Sequence, residues 1–136
     1  MKLLCFYCNE FSFTPKIKTL QEYPDVMEGK VFHNLILAFI QAEKQDETNA
    51  KSVEKRLLNQ LKWVARKNET KNIVLHSFAH LSDSKADHNF TKILLDNVET
   101  RLKNVDYIVS QTPFGYFLDI KMDAPGKSLA RIFSSF

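Results

Sequence analysis

Three short apolar runs constrain this chain more than any other feature: "LILAFIQA" (Leu35–Ala42), "IVLHSF" (Ile73–Phe78) and "YIVS" (Tyr107–Ser110). Continuous runs of this kind mark strands buried on both faces. Two segments of helical periodicity lie between them. From about Asn49 to Lys67, the residues Val53, Leu57, Leu58, Leu61, Val64 and Ala65 recur at steps of three and four. From about Asn89 to Lys103 the apolar line is Phe90, Leu94, Val98 and Leu102, and Asn49 and Asp87 or Asn89 are candidate N-caps. Strand–helix–strand–helix–strand implies two right-handed βαβ crossovers around a parallel core. The expected fold is therefore a single α/β domain over residues 1–136 with a central mixed sheet. Lys2–Tyr7 reads as a first buried strand, and Phe11–Lys18 as a partner that Pro15 disrupts. Thr19–Lys30, with Pro24 and Gly29, reads as a loop. Tyr116–Met122 reads as a strand returning antiparallel after the Pro113-Phe114-Gly115 turn.

Composition narrows the class. The 44% hydrophobic and 26% charged content excludes a disordered or low-complexity chain. No apolar run approaches the ~18 residues of a membrane span. The opening "MKLLCFYC" is broken by Asn9 and Glu10 with no cleavage site beyond, so a cytoplasmic protein away from the membrane is expected. A net charge of +3 permits contact with a polyanion without requiring it. Cys5 and Cys8 form a CxxC, but His33, His76, His80 and His88 supply no second ligand pair at matching spacing. No metal or cofactor is expected. The cysteines read as structural, with a thiol-redox role as the distant alternative. Gly-rich phosphate loops, GxSxG elbows and HExxH helices are absent from the sequence.

Ligands of open α/β sheets sit outside the carboxyl ends of the strands. Three segments occupy those ends here: "QAEK", "FAHLS" and "QTPFGYF". Their convergence would gather Glu43, His80, Ser82, Phe114, Tyr116 and Phe117 at one edge, an apolar wall with few polar groups. Each has an ordinary reading as well: His80 as a structural hydrogen-bonder, Glu43 as a solvated strand end, the aromatics as core. His76, mid-strand, reads as core, and His33 and His88 as loop or helix-edge residues. On the first helix, Lys51, Lys55, Lys62 and Arg66 fall within about 60° of arc, away from the apolar side. Such a stripe either follows a phosphate backbone or is a solvated face. Trp63 flanks it, placed to stack on a base or to close the core edge.

The stretches "AFIQAEKQDETN", "FAHLS" and "PFGYF", with "IK" and "PGKSLAR" beyond, resemble the amino-terminal editing domain of archaeal threonyl-tRNA synthetases. That domain is related in fold to the D-aminoacyl-tRNA deacylases, and the resemblance covers essentially the whole chain. It implies hydrolysis of serine from mischarged tRNA for threonine, a proofreading step needed because one methyl discriminates by only a few kcal/mol. It places the pocket at Ala42, Ala79, His80, Pro113, Phe114 and Phe117, with His80 orienting water or ribose. The neighbouring ribose hydroxyl and an ordered water assist. It also implies tRNA as partner, a threonyl-tRNA synthetase as a further partner, and a homodimer. Three departures stand out. The family lysine after the second aromatic is Leu118 here, with Lys121 expected on the opposite strand face. A family glutamate falls at Arg131, and the His-Ser-Asp that usually ends the first strand is Tyr7-Cys8-Asn9. The chain has no room for a synthetase body, so a free-standing or excised domain is expected. These departures define the alternative: a catalytically silent homologue that binds aminoacyl-tRNA or docks on a synthetase.

Overall fold

The computed structural model describes residues 1–136. Six strands form one sheet: β1 (Lys2–Lys18), β2 (Lys30–Gln41), β3 (Asn72–Ser77), β4 (Ile108–Gln111), β5 (Tyr116–Asp123) and β6 (Arg131–Ser135). Two helices, α1 (Ala50–Lys67) and α2 (His88–Lys103), make the crossovers β2–α1–β3 and β3–α2–β4. The order is β4-β3-β2-β1-β5, with β6 beside the first half of β1. β2, β3 and β4 run parallel, while β1 is antiparallel to β2, β5 and β6. The sheet is mixed, as expected.

The apolar periodicities settle on the sheet as the sequence implied. α1 buries Val53, Leu57, Leu58, Leu61, Val64 and Ala65, and α2 buries Leu94, Leu95, Val98 and Leu102. Asp87 is the cap of α2, its carboxylate accepting from the Asn89 backbone N–H at 2.8 Å. Both helices cover one sheet face and pack on Leu3, Cys5, Ile36, Ala38, Ile40, Ile73 and Leu75. A smaller cluster on the other face holds Cys8, Phe11, Phe13, Leu35, Leu37, Phe39 and Val74. β3 and the second half of β2 (Leu35–Gln41) are thus buried on both sides, which is why neither stretch shows polar alternation. No helix is long and apolar enough to cross a membrane.

Two expectations need correction. Lys2–Tyr7 and Phe11–Lys18 are one 17-residue strand, not a pair. Asn9 and Glu10 are exposed and polar but lack the turn chemistry to reverse the chain, so it stays extended. The buried positions Leu3, Cys5, Cys8, Phe11 and Phe13 change parity there. Opposite, Asn34 has φ 51, and the register runs on from Cys8↔Leu35 to Glu10↔His33. Both strands therefore swap faces at the same point, and Phe32 packs against the second cluster that holds Leu35. The family's strand-ending tripeptide falls inside β1 rather than at its end. β6 shows no signal in the sequence because it is only five residues long and follows directly on a single 3-10 turn at Ser128–Ala130. Cys5 and Cys8 occupy clusters on opposite faces, so they cannot bridge or share a ligand. Burial pushes the Cys5 thiol up to about 12; burial, then the Asp123 charge, pushes Cys8 up to about 11. Neither is a thiolate at neutral pH.

The Pro-Phe-Gly corner turns the chain from β4 into β5. Gly115 sits at φ 79, and a Cβ there would lie 2.8 Å from the Leu20 Cβ. Its carbonyl accepts from the backbone N–H of Thr19 at 2.7 Å and from the Thr19 hydroxyl at 3.0 Å, pinning the corner to the end of β1. Gly115→Ala is expected to destabilise the fold by roughly 1–3 kcal/mol through the positive φ and that contact. A melting temperature equal to wild type would show that the corner tolerates a side chain.

Candidate functional site

The carboxyl ends of β2, β3 and β4 do converge. They and the start of β5 enclose a cleft of about 330 Å³. Ile40, Gln41 and Ala42 enter from β2, His76 to His80 from β3 and its loop, and Pro113 to Leu118 from the corner and β5. Thr19, Leu20, the start of α2 (His88, Thr91) and Lys85 complete the rim. Tyr23 braces the outer wall: its ring stands edge-on to Phe114 at 4.9 Å, and its hydroxyl meets His88 Nδ1 at 3.1 Å. The opening is mostly apolar with few polar groups, the composition of a small-ligand site.

Most polar side chains on this lining are already committed. The Thr19 hydroxyl donates to Gly115 O and the Thr91 hydroxyl to Asp87 O, while the Tyr116 hydroxyl accepts from Val26 N–H. Gln41 is buried and serves as a template for the following loop. Its Nε2 donates to the carbonyls of Ser82 (2.8 Å) and Ser84 (3.0 Å), and its Oε1 accepts from the N–H groups of Leu81 (2.7 Å) and Ser82 (3.0 Å). Four side chains keep polar atoms without a protein partner: His76, Ser77, His80 and Lys85. His76 Nδ1 lies 2.8 Å from the Thr112 hydroxyl, and no enclosed side-chain nitrogen or oxygen lacks a partner. The unpaired His76 Nε2 therefore opens to the cleft. Burial pushes His76 down to about 4, so it is a neutral imidazole at pH 7. His80 is exposed, its ring edge-on to Phe78 at 5.1 Å. The backbone N–H groups of Ala79 and His80 donate to no acceptor in the chain.

Of the residues expected here, Ala42, Ala79, His80, Pro113, Phe114, Tyr116 and Phe117 all line the cleft. Glu43 does not. Its carboxylate accepts from the Met1 ammonium at 2.6 Å and from the Ser82 hydroxyl at 2.6 Å, with Lys2 Nζ at 3.4 Å. Asp46 joins the same ammonium at 3.0 Å, and Phe136 O accepts from it at 2.7 Å. The hydrogen bonds of the ammonium and Ser82 are what hold Glu43 down at about 2. Ser82 is drawn into this cluster, which ties both chain ends to the loop behind the cleft. Leu118 and Ile120 line the cleft, whereas Lys121 is exposed and outside it. Arg131 is exposed on β6, donating to Pro125 O at 3.1 Å. Lys51, Lys55 and Arg66 are exposed and Lys62 is half-buried. Successive rises of 1.5 Å spread this stripe over ~22 Å of α1, and none of the four lines the cleft. Trp63 packs on the core edge, with Lys67 Nζ 6.0 Å from its ring centroid.

Sequence reasoning missed His76 and Lys85 as lining residues. A histidine at the carboxyl end of a strand buried on both faces was the available signal for His76. Lys85 lay in a loop without periodicity, where spacing carries no direction.

The fold is a single α/β domain with a central six-stranded mixed sheet. The chain superposes on the structure of the c-Myc DNA Unwinding Element Binding Protein with a TM-score of 0.63, covering 100% of this chain and 99% of that one at 12% identity. That is a likeness of fold alone. Residues 1–136 match the Archaea-specific editing domain of threonyl-tRNA synthetase, and the chain belongs to that family. It is 27% identical over 135 residues to the threonine–tRNA ligase of Thermococcus sibiricus and 31% identical over 133 residues to that of Methanococcus maripaludis. Each match takes in 97% of this chain but 22% and 21% of those proteins, so the chain spans about a fifth of their length.

Proposed function

We propose that the cleft binds the aminoacylated 3′ end of tRNA and hydrolyses the ester of serine mischarged on tRNA for threonine. The observation that carries this reading is the cleft at the carboxyl ends of β2, β3 and β4. It combines apolar walls for the terminal adenosine with unpaired donors at Ala79 N–H and His80 N–H. Such donors suit the oxyanion that develops when water adds to the ester carbonyl. His80 orients that water or the neighbouring ribose hydroxyl, a role that needs only hydrogen-bond reach. The leaving ribose oxygen takes up the proton, so the products are serine and tRNA with a free 3′ end. Threonine is rejected by size, which a small apolar pocket does modestly, by about 1–3 kcal/mol per methyl.

A seryl-adenosine analogue with an amide in place of the ester is expected to move the backbone resonances of Ala79, His80, Phe114 and Leu118. Binding that leaves those four unmoved would contradict the placement of the site. Leu118 favours a second reading, in which the same cleft binds aminoacyl-tRNA without turnover. In either reading the α1 stripe follows the tRNA backbone, since Lys51, Lys55, Lys62 and Arg66 form no ion pair. Lys55→Ala with Lys62→Ala is expected to weaken tRNA binding and reduce the slope of log K against log salt by close to two units. An unchanged slope would make the stripe a solvated face.

A further inference from the structure

We propose that Lys85 supplies the positive charge that acts on the ester, from the β3–α2 loop rather than from β5; this rests on the hydrolytic reading above. Lys85 and Leu118 line the same cleft, the one from the β3–α2 loop and the other from β5. The β5 position that would carry a family lysine is closed by a leucine packed against the second cluster. Lys85 is exposed on the rim, and it borders the shallower hollow formed by Ala79, His80, Leu81, Ser82 and Asp83 as well. It therefore shares the lining of both hollows with Ala79 and His80, whose backbone N–H groups are unpaired.

Two features separate Lys85 from an ordinary surface lysine. The first is that its ammonium forms no ion pair. Nearby carboxylates are engaged elsewhere: Glu43 with the Met1 ammonium, Glu47 with Lys44 and the Asp87 N–H, and Asp87 with the Asn89 N–H. Asp83, two residues away, is exposed on the lining of the same shallower hollow and is left unpaired like Lys85 itself. The second is that its backbone is pinned on both sides. The Ser84 carbonyl accepts from Gln41 Nε2 and its hydroxyl oxygen from the Lys44 N–H, both at 3.0 Å, and the Ala86 N–H donates to Ala42 O at 3.0 Å. A flexible stem on a fixed base, with no ion-pair partner, leaves a compact charge free to reach over the cleft it borders. The ammonium stabilises the oxyanion as water adds to the carbonyl carbon and the carbonyl π electrons move onto oxygen. The ester C–O bond then breaks, and the proton released by the water ends on the ribose oxygen. No electron donor or acceptor is involved.

Single-turnover release of serine from seryl-tRNA for threonine tests this with Lys85→Met, Lys85→Arg and Lys85→Met combined with Leu118→Lys. Lys85→Met is expected to slow release ~10²-fold, with unchanged tRNA affinity and melting temperature. Lys85→Arg should keep most of the rate, and adding Leu118→Lys to Lys85→Met should restore at least ~10-fold, a little over 1 kcal/mol of barrier. Lysine can lay its stem where the leucine packed. Wild-type turnover matched by Lys85→Met would overturn this inference and leave the hydrolytic reading standing. A slowed Lys85→Met whose tRNA affinity falls in proportion, with no rescue from either second substitution, would make Lys85 a phosphate contact and overturn it equally. Absence of turnover in the wild type would remove both the inference and the reading beneath it.

Discussion

Replacing His80 with alanine is expected to lower serine release from seryl-tRNA by 10²-fold or more while the protein stays folded. The reasoning is local. His80 is exposed on the cleft rim, so its removal opens no core cavity, and its ring nitrogens have no protein partner to leave stranded. What is lost is the one exposed imidazole beside the Ala79 and His80 N–H groups, and positioned acid–base groups contribute typically 10²–10⁴-fold. His80→Gln should recover part of the rate if the ring only orients water, because the amide keeps a donor and an acceptor. Equal rates for wild type and His80→Ala, with both proteins folded, would remove His80 from the chemistry.

Glu43→Gln is expected to destabilise the fold by about 3 kcal/mol near neutral pH, because it leaves the buried Met1 ammonium short of an anion. For a chain of this size that is a drop of roughly 10 °C in melting temperature. The pH dependence gives a second signature. Glu43 ordinarily titrates near 4.5 and is held at about 2 in the fold, chiefly by the ammonium and Ser82 hydrogen bonds. A depressed folded value stabilises above the unfolded value, and that contribution fades as pH falls from about 4.5 through about 2. Wild type and Glu43→Gln should therefore differ fully at pH 6 and converge as pH approaches 2. A gap that persists unchanged at acid pH would assign the loss to geometry rather than charge.

How much could be read in the sequence depends on whether the signal was periodic. α1 and α2 declared themselves because a helix repeats its buried face every three to four residues, and Leu57, Leu61 and Val64 kept that rhythm. β2 and β3 declared themselves because burial on both faces removes polar alternation. The convergence of "FAHLS" and "PFGYF" followed from topology, since parallel strands place their carboxyl ends together. β1 was misread because its rhythm breaks at Asn9, where the strand changes face without reversing. The fault in the rhythm is matched across the ladder by Asn34 at φ 51, a partner that periodicity in one strand cannot reveal. Gln41 and Glu43 were legible as strand-end polar residues but not in their tasks. The partners of Gln41 lie some forty residues along the chain, and Glu43 is held by the amino terminus itself. Lys85 needed the most: its meaning depends on which neighbouring carboxylates are already occupied, a property of the folded chain alone.

The measurement that bears most directly on the cleft as an editing site is the rate of serine release from seryl-tRNA for threonine by the purified protein. Threonyl-tRNA of the same sequence serves as the control. The account predicts release well above the spontaneous rate, with threonyl-tRNA spared, and inhibition by the amide analogue of seryl-adenosine. Tight binding of both tRNAs with serine lost only at the spontaneous rate would contradict it and leave a module that binds aminoacyl-tRNA without cleaving it.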